Sequence, residues 1–189
     1  MLLQVNFDSN RIYASLGPND PYISTPSYPS FYDMTIDYGS LNVKQNGQGI
    51  TTTLVGNEKT KMGAGTRLST TRYMMYAKIT AKMRAIPVPG VITTFITMSA
   101  RKDEIDFEFV GGKKDSVESN VFYKGILEFG IRSRVLSLPS GGTIDQGKEY
   151  TIDWNSKRIE WSIDGNVLRR YAANDALTVS SMTPPGERS

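Results

Sequence analysis

The sequence predicts an all-β protein in which two β-sheets pack face to face as a β-sandwich. Several short segments alternate apolar and polar residues or are rich in β-branched residues, and Gly, Asn or Pro bounds them. No window of about 12 residues shows the apolar stripe of an amphipathic helix. Roughly ten or more short strands without helices favour two sheets, because each sheet can then bury its apolar face against the other.

Length and composition are those of one soluble globular domain. The chain has 189 residues, of which 39% are hydrophobic and 22% are charged. We therefore expect a single domain over residues 1–189, with an irregular N-terminal segment at 1–30 and a C-terminal tail at 172–189. Four prolines and Gly17 predict a surface loop over residues 17–30.

Composition also excludes several kinds of chemistry and partner. The 22 basic and 19 acidic residues are scattered and leave a net charge of +3, so no nucleic-acid partner is expected. Without cysteine or histidine there is no disulfide, no thiolate or imidazole metal site and no Ser-His triad. We expect no cofactor and no metal, and the chemistry is left to carboxylates, hydroxyls, amines and aromatics.

No targeting signal or membrane span is visible. The N-terminus, MLLQVNFDSN, begins with only a few apolar residues, whereas a signal-peptide core has about 7 to 15. No segment approaches the roughly 20 apolar residues of a membrane span. These features predict a soluble chain without a leader. A secreted chain that had lost its leader would look the same, so both alternatives stay open.

Along the chain, the strand predictions follow the alternation. The early segments alternate or are β-branched, and they are residues 40–44, 49–55 and 75–83. Residues 91–98 form a nearly continuous run of apolar residues and threonine, which predicts a strand covered on both faces. Residues 150–154 and 158–164 predict a hairpin, and residues 167–171 add a third strand of the same meander.

The segment DEIDFEFVGG, residues 103–112, is the most informative part of the sequence. In an extended strand Glu104, Asp106 and Glu108 share one face, while Ile105 and the two phenylalanines face the core. Neighbouring carboxylates on that face lie roughly 6 to 7 Å apart, and each like-charged pair costs about 2 to 2.5 kcal/mol at an effective dielectric constant near 20. A face selected only for solubility would mix charges of both signs.

Crowded carboxylates in a cleft cannot all stay ionised, so one of them is held protonated near neutral pH. A proton donor beside a carboxylate nucleophile is the requirement of retaining glycoside hydrolysis. Glu104 and Glu108 have Cα atoms about 13 Å apart in an extended strand, so their side chains must lean toward each other. The residues alone leave open two other interpretations, a solvated polar face and a three-carboxylate cation site.

The Glu-x-Asp-x-Glu pattern of residues 104–108 resembles the signature of glycoside hydrolase family 16, and its flanks are similar to the fungal Crh branch of cell-wall transglycosylases. The resemblance covers roughly residues 30–171. The segments that support it are Gly65–Ser69, Arg72–Tyr73, Tyr76–Lys78, Gly90–Ser99, Asp103–Gly112, Tyr150–Trp154 and Ile159–Gly165.

The resemblance implies a concanavalin-like jelly roll and a role for each carboxylate. Glu104 is similar to the family's nucleophile and Glu108 to its acid/base, and Asp106 between them is expected to hydrogen-bond one of the two and tune both. Asn120 and Phe122 are candidates for sugar contacts. Trp154 and Trp161 are expected in the core rather than as sugar platforms, and Arg67, Arg72 and Lys78 are expected as rim charges.

The implied function is a retaining carbohydrate-active enzyme that cleaves or transfers β-linked cell-wall polysaccharide, with chitin or β-glucan as donor and acceptor and a secreted or cell-wall location. The alternative is a non-catalytic carbohydrate-binding β-sandwich or a degenerate enzyme. Residues 172–189 contain no aromatic residue, whereas the family supplies one there toward the acceptor side. The jelly roll is therefore expected to be incomplete at its C-terminal end.

Overall fold

The computed structural model describes residues 11–14, 31–45, 49–127 and 130–172. These residues belong to two compact units, with the division between Tyr73 and Met74. Fifteen β-strands account for most of the regular structure in the described residues, and they are joined by tight turns and short loops.

The first unit consists of short strands in three small sheets. The largest sheet has three strands, in which β1 pairs in parallel with β2 and β2 pairs antiparallel with β7. A 3-10 turn at Ser40–Asn42 precedes two separate two-stranded ribbons, β3 with β4 and β5 with β6. The strands of this unit are β1 Ile12–Ala14, β2 Met34–Tyr38, β3 Val43–Gln45, β4 Ile50–Thr52, β5 Val55–Asn57, β6 Met62–Ala64 and β7 Arg67–Thr70.

Two buried or half-buried aspartates hold the first unit together through arginine. Asp33 accepts hydrogen bonds from Arg11 at 2.7 Å and from Arg72 at 2.9 Å. The Arg11 hydrogen bond, with that of Arg72, lowers the pKa of Asp33 to about 2 in spite of its burial. Asp37 binds Arg67 at 2.6 Å in the same way. Arg67 and Arg72, expected as rim charges, are thus bound in ion pairs within this unit.

The second unit contains two four-stranded antiparallel sheets. The first sheet has the order β12-β11-β10-β9, and the second has the order β15-β14-β13-β8. The strands of the first sheet are β9 Ile92–Met98, β10 Glu104–Val110, β11 Ser116–Phe122 and β12 Arg134–Ser137. The strands of the second are β8 Lys78–Met83, β13 Lys148–Trp154, β14 Arg158–Ile163 and β15 Asn166–Ala172.

The core of this unit lies between the two sheets. Phe107 and Phe109 of β10 pack edge-on against Tyr150 of β13, with ring centroids 5.6 and 4.7 Å apart. Edge-to-face aromatic pairs of this kind add about 0.5 to 1.5 kcal/mol each to the free energy of burial. Across the same interface Trp161 of β14 donates its indole N–H to the carbonyl oxygen of Asp106 at 2.8 Å. The two sheets therefore form the sandwich, and the predicted all-β, two-sheet fold class is confirmed.

Some of the predicted elements match the structure and others do not. The meander is confirmed as β13, β14 and β15, and Trp154 and Trp161 are both buried in the core as expected. Residues 40–42 form a 3-10 turn rather than a strand. The segment expected to be irregular, residues 1–30, includes the strand β1. The loop predicted at residues 17–30 and the tail beyond Ala172 lie outside the described residues.

The prediction that residues 91–98 form a strand covered on both faces was wrong. Strand β9 is at the edge of its sheet, and Ile92 and Met98 are 60% and 48% exposed. Phe95 packs against the core from the opposite face. The apolar residues of this strand thus lie on two faces, one packed against the core and one exposed. The sequence pattern does not distinguish the exposed face from the buried one.

The described residues include no helix of sufficient length and apolar character to cross a membrane.

Candidate active site

Strand β10 presents its carboxylates on the face opposite the core. Phe107 is completely buried and Ile105 and Phe109 are nearly so, because their side chains fill the space between the sheets. Strict alternation then places Glu104, Asp106 and Glu108 together on the other face of the strand. The predicted division of this strand between an apolar and an acidic face matches the structure.

The neighbouring strands complete this face, which we call the carboxylate face. In the β10–β11 register Phe122 lies opposite Glu104, Asn120 opposite Asp106, and Glu118 opposite Glu108. In the β10–β9 register the same three carboxylates lie opposite Met98, Ile96 and Thr94. The five candidate residues predicted from sequence, Glu104, Asp106, Glu108, Asn120 and Phe122, are therefore adjacent on one sheet surface.

Asp106 has the most perturbed environment on the carboxylate face. The residue is completely buried, and neither carboxyl oxygen has a hydrogen-bond partner among the described residues. Burial, followed by the charges of Glu108 and Glu104, raises the pKa of Asp106 to about 7, while the backbone N–H of Asn120 and the charge of Arg169 act in the opposite direction. The hydrogen bond that we expected from Asp106 to one of the glutamates is not seen in the described residues.

Glu104 and Glu108 lie on either side of Asp106 and are each partly exposed. Burial raises the pKa of both carboxyls. The charge of Glu108 raises the pKa of Glu104 further, and the charge of Glu118 raises that of Glu108 further. Because all three carboxyls are shifted toward the protonated form, this face can hold a proton near neutral pH and donate it to a bound ligand.

The turn before β10 is fixed by Asp103, the fourth acid of the motif. Its carboxylate accepts hydrogen bonds from the backbone N–H of Lys124 at 2.9 Å and from the Ser99 hydroxyl at 3.0 Å. Asp103 is buried, and the Ser99 hydroxyl oxygen in turn accepts a hydrogen bond from the backbone N–H of Asp103 at 3.0 Å. Asp103 therefore ties the ends of β9 and β11 to the start of β10, away from the carboxylate face.

A second support lies under the carboxylate face, within the sandwich. Arg169 of β15 stacks on Trp161 with 4.5 Å between the guanidinium carbon and the ring centroid. It also donates hydrogen bonds to the carbonyl and hydroxyl oxygens of Ser119, at 2.6 and 2.8 Å, and to the carbonyl of Arg132. Because Trp161 holds the Asp106 carbonyl and Ser119 lies opposite Phe107, these contacts fix both β10 and β11 from below.

The sequence did not predict the roles of three residues in this arrangement. They are Glu118, Asp103, which fixes the turn before β10 by hydrogen bonds, and Arg169. Alternation in residues 116–122 does place Glu118 on the same strand face as Asn120 and Phe122. Only the register, however, shows that Glu118 faces Glu108. No sequence signal indicated that Arg169 would enter the sandwich. The adjacent Arg170 is the same residue type, yet it is exposed and binds Glu160 at 2.5 Å.

The sequence also left open a three-carboxylate cation site. In the described ranges no group of three or more acidic side chains is arranged to hold a metal ion. Lys78, expected as a rim charge, is exposed on β8 of the second sheet.

The fold places the chain in the class of jelly-roll proteins that includes β-glucanases. Its similarity to the solved structure of the Bacillus licheniformis β-glucanase has a TM-score of 0.65 at 17% identity and covers 74% of this chain and 72% of that chain. The sequence matches Glycosyl hydrolases family 16 over residues 30–186. The chain belongs to this family.

The related proteins are Crh-like, which confirms the branch that the sequence resembles. The chain is 41% identical over 109 residues to Crh-like protein 2 of Aspergillus fumigatus, covering 58% of this chain and 24% of that protein. It is 31% identical over 121 residues to Congo red hypersensitive protein 2 of Saccharomyces cerevisiae, covering 64% of this chain and 25% of that protein. The chain therefore spans about a quarter of the length of these relatives.

The fold is also similar to the solved structure of Crh5 transglycosylase in complex with NAG. The TM-score is 0.66 at 27% identity, and the similarity covers 81% of this chain and 58% of that chain.

Proposed function

We propose that the protein is a retaining glycosidase or transglycosylase that acts on β-linked cell-wall polysaccharide through a glycosyl-enzyme intermediate. The observation that supports this most directly is the carboxylate face, on which the partly exposed Glu104 and Glu108 flank the buried Asp106, with Asn120 and Phe122 beside them on β11. The family membership and the Crh-like relatives support the same reaction class.

The two outer glutamates divide the chemistry. The Glu104 carboxylate attacks the anomeric carbon and forms a glycosyl ester, while Glu108 donates its proton to the departing glycosidic oxygen. Glu108, now ionised, then takes a proton from the incoming acceptor hydroxyl as the ester breaks, which restores both carboxyls. Water as the acceptor gives hydrolysis, and a sugar hydroxyl gives transfer.

Asp106 supports this division because it is only partly ionised between the two glutamates near neutral pH. A second full negative charge beside Glu104 would oppose its ionisation, and the raised pKa of Asp106, to about 7, limits that charge near neutral pH. We expect Asn120 and Phe122, which lie opposite Asp106 and Glu104, to contact the donor sugar through an amide and an aromatic ring.

The substrate that we propose is chitin as the donor and β-glucan as the acceptor, encountered at the cell wall or outside the cell. The Crh-like relatives and the structure of Crh5 transglycosylase with NAG support this choice. Incubation with labelled chitin and β-glucan oligomers, followed by product sizing, tests it. Products longer than the donor indicate transfer, and shorter products alone indicate hydrolysis.

The test of the mechanism is the pair of variants Glu104→Gln and Glu108→Gln. We expect each to lower kcat at least 100-fold, because each removes either the nucleophile or the proton donor. Asn57→Asp, an exposed substitution in the ribbon of β5 and β6, is the control for expression and folding. Wild-type turnover in both glutamine variants contradicts the mechanism. Oligosaccharide binding without turnover in the unmodified protein indicates the alternative, a non-catalytic carbohydrate-binding sandwich.

A further inference from the structure

The carboxylate face contains a fourth acidic side chain that the three-residue motif does not include. Glu118 of β11 lies directly opposite Glu108 in the antiparallel register. Directly opposed residues have Cβ atoms about 4.5 to 5.5 Å apart, and like charges in this position destabilise each other. The side chain proposed to give and take the proton therefore has a carboxylate neighbour supplied by another strand.

Glu118 is in turn bound by a lysine from the adjacent turn. The ammonium of Lys113 lies 2.7 Å from Oε1 of Glu118. Lys113 is in the turn between β10 and β11, and its backbone N–H donates to the carbonyl of Val110 at 2.8 Å, which fixes its position. The side chain of Lys113 is half exposed, so the ion pair only partly offsets the charge of Glu118.

The neighbours of Glu108 from its own strand and from the other strands of the sheet are as follows. On its own strand Glu108 is flanked by Asp106, with Glu104 two positions further along that face. From β9 the opposing residue is Thr94, which has no charge. From β12 the next residue in the row beyond Glu118 is Val135, also without charge. Among the residues that these registers place around Glu108 from other strands, the charges are therefore those of the Glu118–Lys113 pair.

We propose that Glu118 is a positioning residue that keeps Glu108 protonated until the donor sugar is bound, and that Lys113 limits the strength of this effect. The proposal rests on the acid/base role given to Glu108 in the proposed function. A negative charge opposite Glu108 disfavours its ionised form, in the same direction as burial. Once Glu108 has lost its proton, the same charge makes it a stronger base toward the acceptor hydroxyl.

The two members of the pair give opposite expected shifts. Glu118→Gln removes the negative charge and keeps the shape, so the ionisation of Glu108 should move to lower pH. Lys113→Met leaves the charge of Glu118 uncompensated, so the ionisation of Glu108 should move to higher pH. Lys113→Arg keeps the positive charge and is the control, with no shift expected.

The measurement is a side-chain carboxyl NMR titration of the full chain, with the Glu108 resonance assigned by its loss in Glu108→Gln. A loss of structure would change the backbone amide spectrum as well, so each variant is compared with the wild-type spectrum first. Opposite shifts in Glu118→Gln and Lys113→Met support the proposal. Shifts in the same direction, or no shift in either variant, overturn it.

Turnover gives the second readout. In the active enzyme the alkaline limb of the kcat–pH profile should move to lower pH in Glu118→Gln and to higher pH in Lys113→Met. A purely structural role would lower kcat at all pH values without moving the limb, which would overturn the proposal. The NMR titration needs no turnover, so failure of the proposed reaction and failure of the Glu118 inference are separable.

Discussion

At the scale of the single residue, Asp106 is the side chain of the carboxylate face whose ionised form is most strongly disfavoured by burial. Its carboxyl is completely buried between two glutamates and has no hydrogen-bond partner in the described part of the chain. Because burial and the two neighbouring charges raise its pKa from 3.8 to about 7, the folded state holds a proton that the unfolded state releases above pH 4. Folding is therefore linked to proton uptake at this residue.

We expect this linkage to appear in the pH dependence of stability. Since the folded-state pKa of Asp106 is raised, its contribution is fully present below about pH 4 and is lost as pH rises to about 7. The whole change is on the order of 4 kcal/mol, and roughly 3 kcal/mol of it falls between pH 5 and pH 8. Urea unfolding at pH 5 and pH 8 measures it. Asp106→Asn, which cannot ionise, should lose less stability between these two pH values than the wild type; an equal loss contradicts the assignment.

The residues of the site were predictable to the extent that they depend on alternation within one strand. Glu104, Asp106 and Glu108 follow from the period of two, and so does their separation from Phe107. The partners from other strands depend on register, which the sequence does not specify, so Glu118 was missed. The burial of Arg169 depends on which strand closes the sandwich, and no local pattern contains that information.

At the scale of the element, the indole of Trp161 binds the backbone of β10 from within the sandwich. Trp161→Phe removes the donor to the Asp106 carbonyl and weakens the stacking of Arg169. Trp154 is a matched comparison, because it is buried in the same sheet but its indole N–H has no partner among the described residues. We expect Trp161→Phe to cost about 1 to 3 kcal/mol more than Trp154→Phe in urea unfolding. Equal losses would show that ring volume alone matters.

The end of β10 has a close backbone contact that only glycine allows. A Cβ atom at Gly111 would lie 2.0 Å from the carbonyl oxygen of Val88, whereas one at Gly112 would meet nothing within 4 Å. Gly111→Ala should therefore force the backbone apart and cost roughly 1 to 3 kcal/mol, and Gly112→Ala should cost much less. Thermal unfolding of the two variants measures the difference. Equal midpoints would contradict the contact.

Element prediction succeeded where alternation was clean and failed where it was not. Strands β13, β14 and β15 alternate around turns rich in Asn, Ser and Gly, and all three were predicted. In β9, Ile92, Ile96 and Met98 lie on one face and Phe95 on the other, so apolar residues on both faces indicated burial on both sides. Ile92 and Met98 are exposed because they lie on the carboxylate face, opposite the core, and on the edge strand of the sheet. Both conditions are properties of the sheet and not of the strand alone.

At the scale of the whole molecule, Arg169 joins the two sheets of the second unit. It extends from β15 of one sheet to Ser119 of the other and stacks on Trp161 and Tyr171. Burial, followed by the charge of Arg134, lowers the pKa of Arg169 to about 10, which still leaves it charged near neutral pH. The guanidinium of Arg169 therefore lies between the two sheets, where it binds carbonyl oxygens and stacks on aromatic rings.

Removing this link should destabilise the sandwich. We expect Arg169→Leu to cost about 2 to 4 kcal/mol, since it leaves Ser119 without its donor and removes two cation–π contacts. Arg170→Leu, which breaks the ion pair with Glu160 on an exposed side chain, should cost less than about 1 kcal/mol. Urea unfolding of both variants provides the comparison. A larger loss for Arg170→Leu would contradict the role of Arg169.

The two-sheet class followed from the sequence because many short alternating strands without helices have few other ways to bury their apolar faces. The order of strands in each sheet, and the division of the chain into two units near Tyr73, did not follow. Both depend on pairings between segments far apart in the chain, such as β8 with β13. Long-range pairing leaves little trace in local composition.

The position of β10 also affects how quickly its backbone exchanges hydrogen with solvent. The strand is hydrogen-bonded to neighbours on both sides, and half of its side chains are in the core. Its amides should therefore exchange with deuterium only when the whole sandwich opens, while those of the exposed ribbon β5–β6 exchange rapidly. The deuterium uptake of a peptide containing residues 104–110 would then report the free energy of opening of the sandwich.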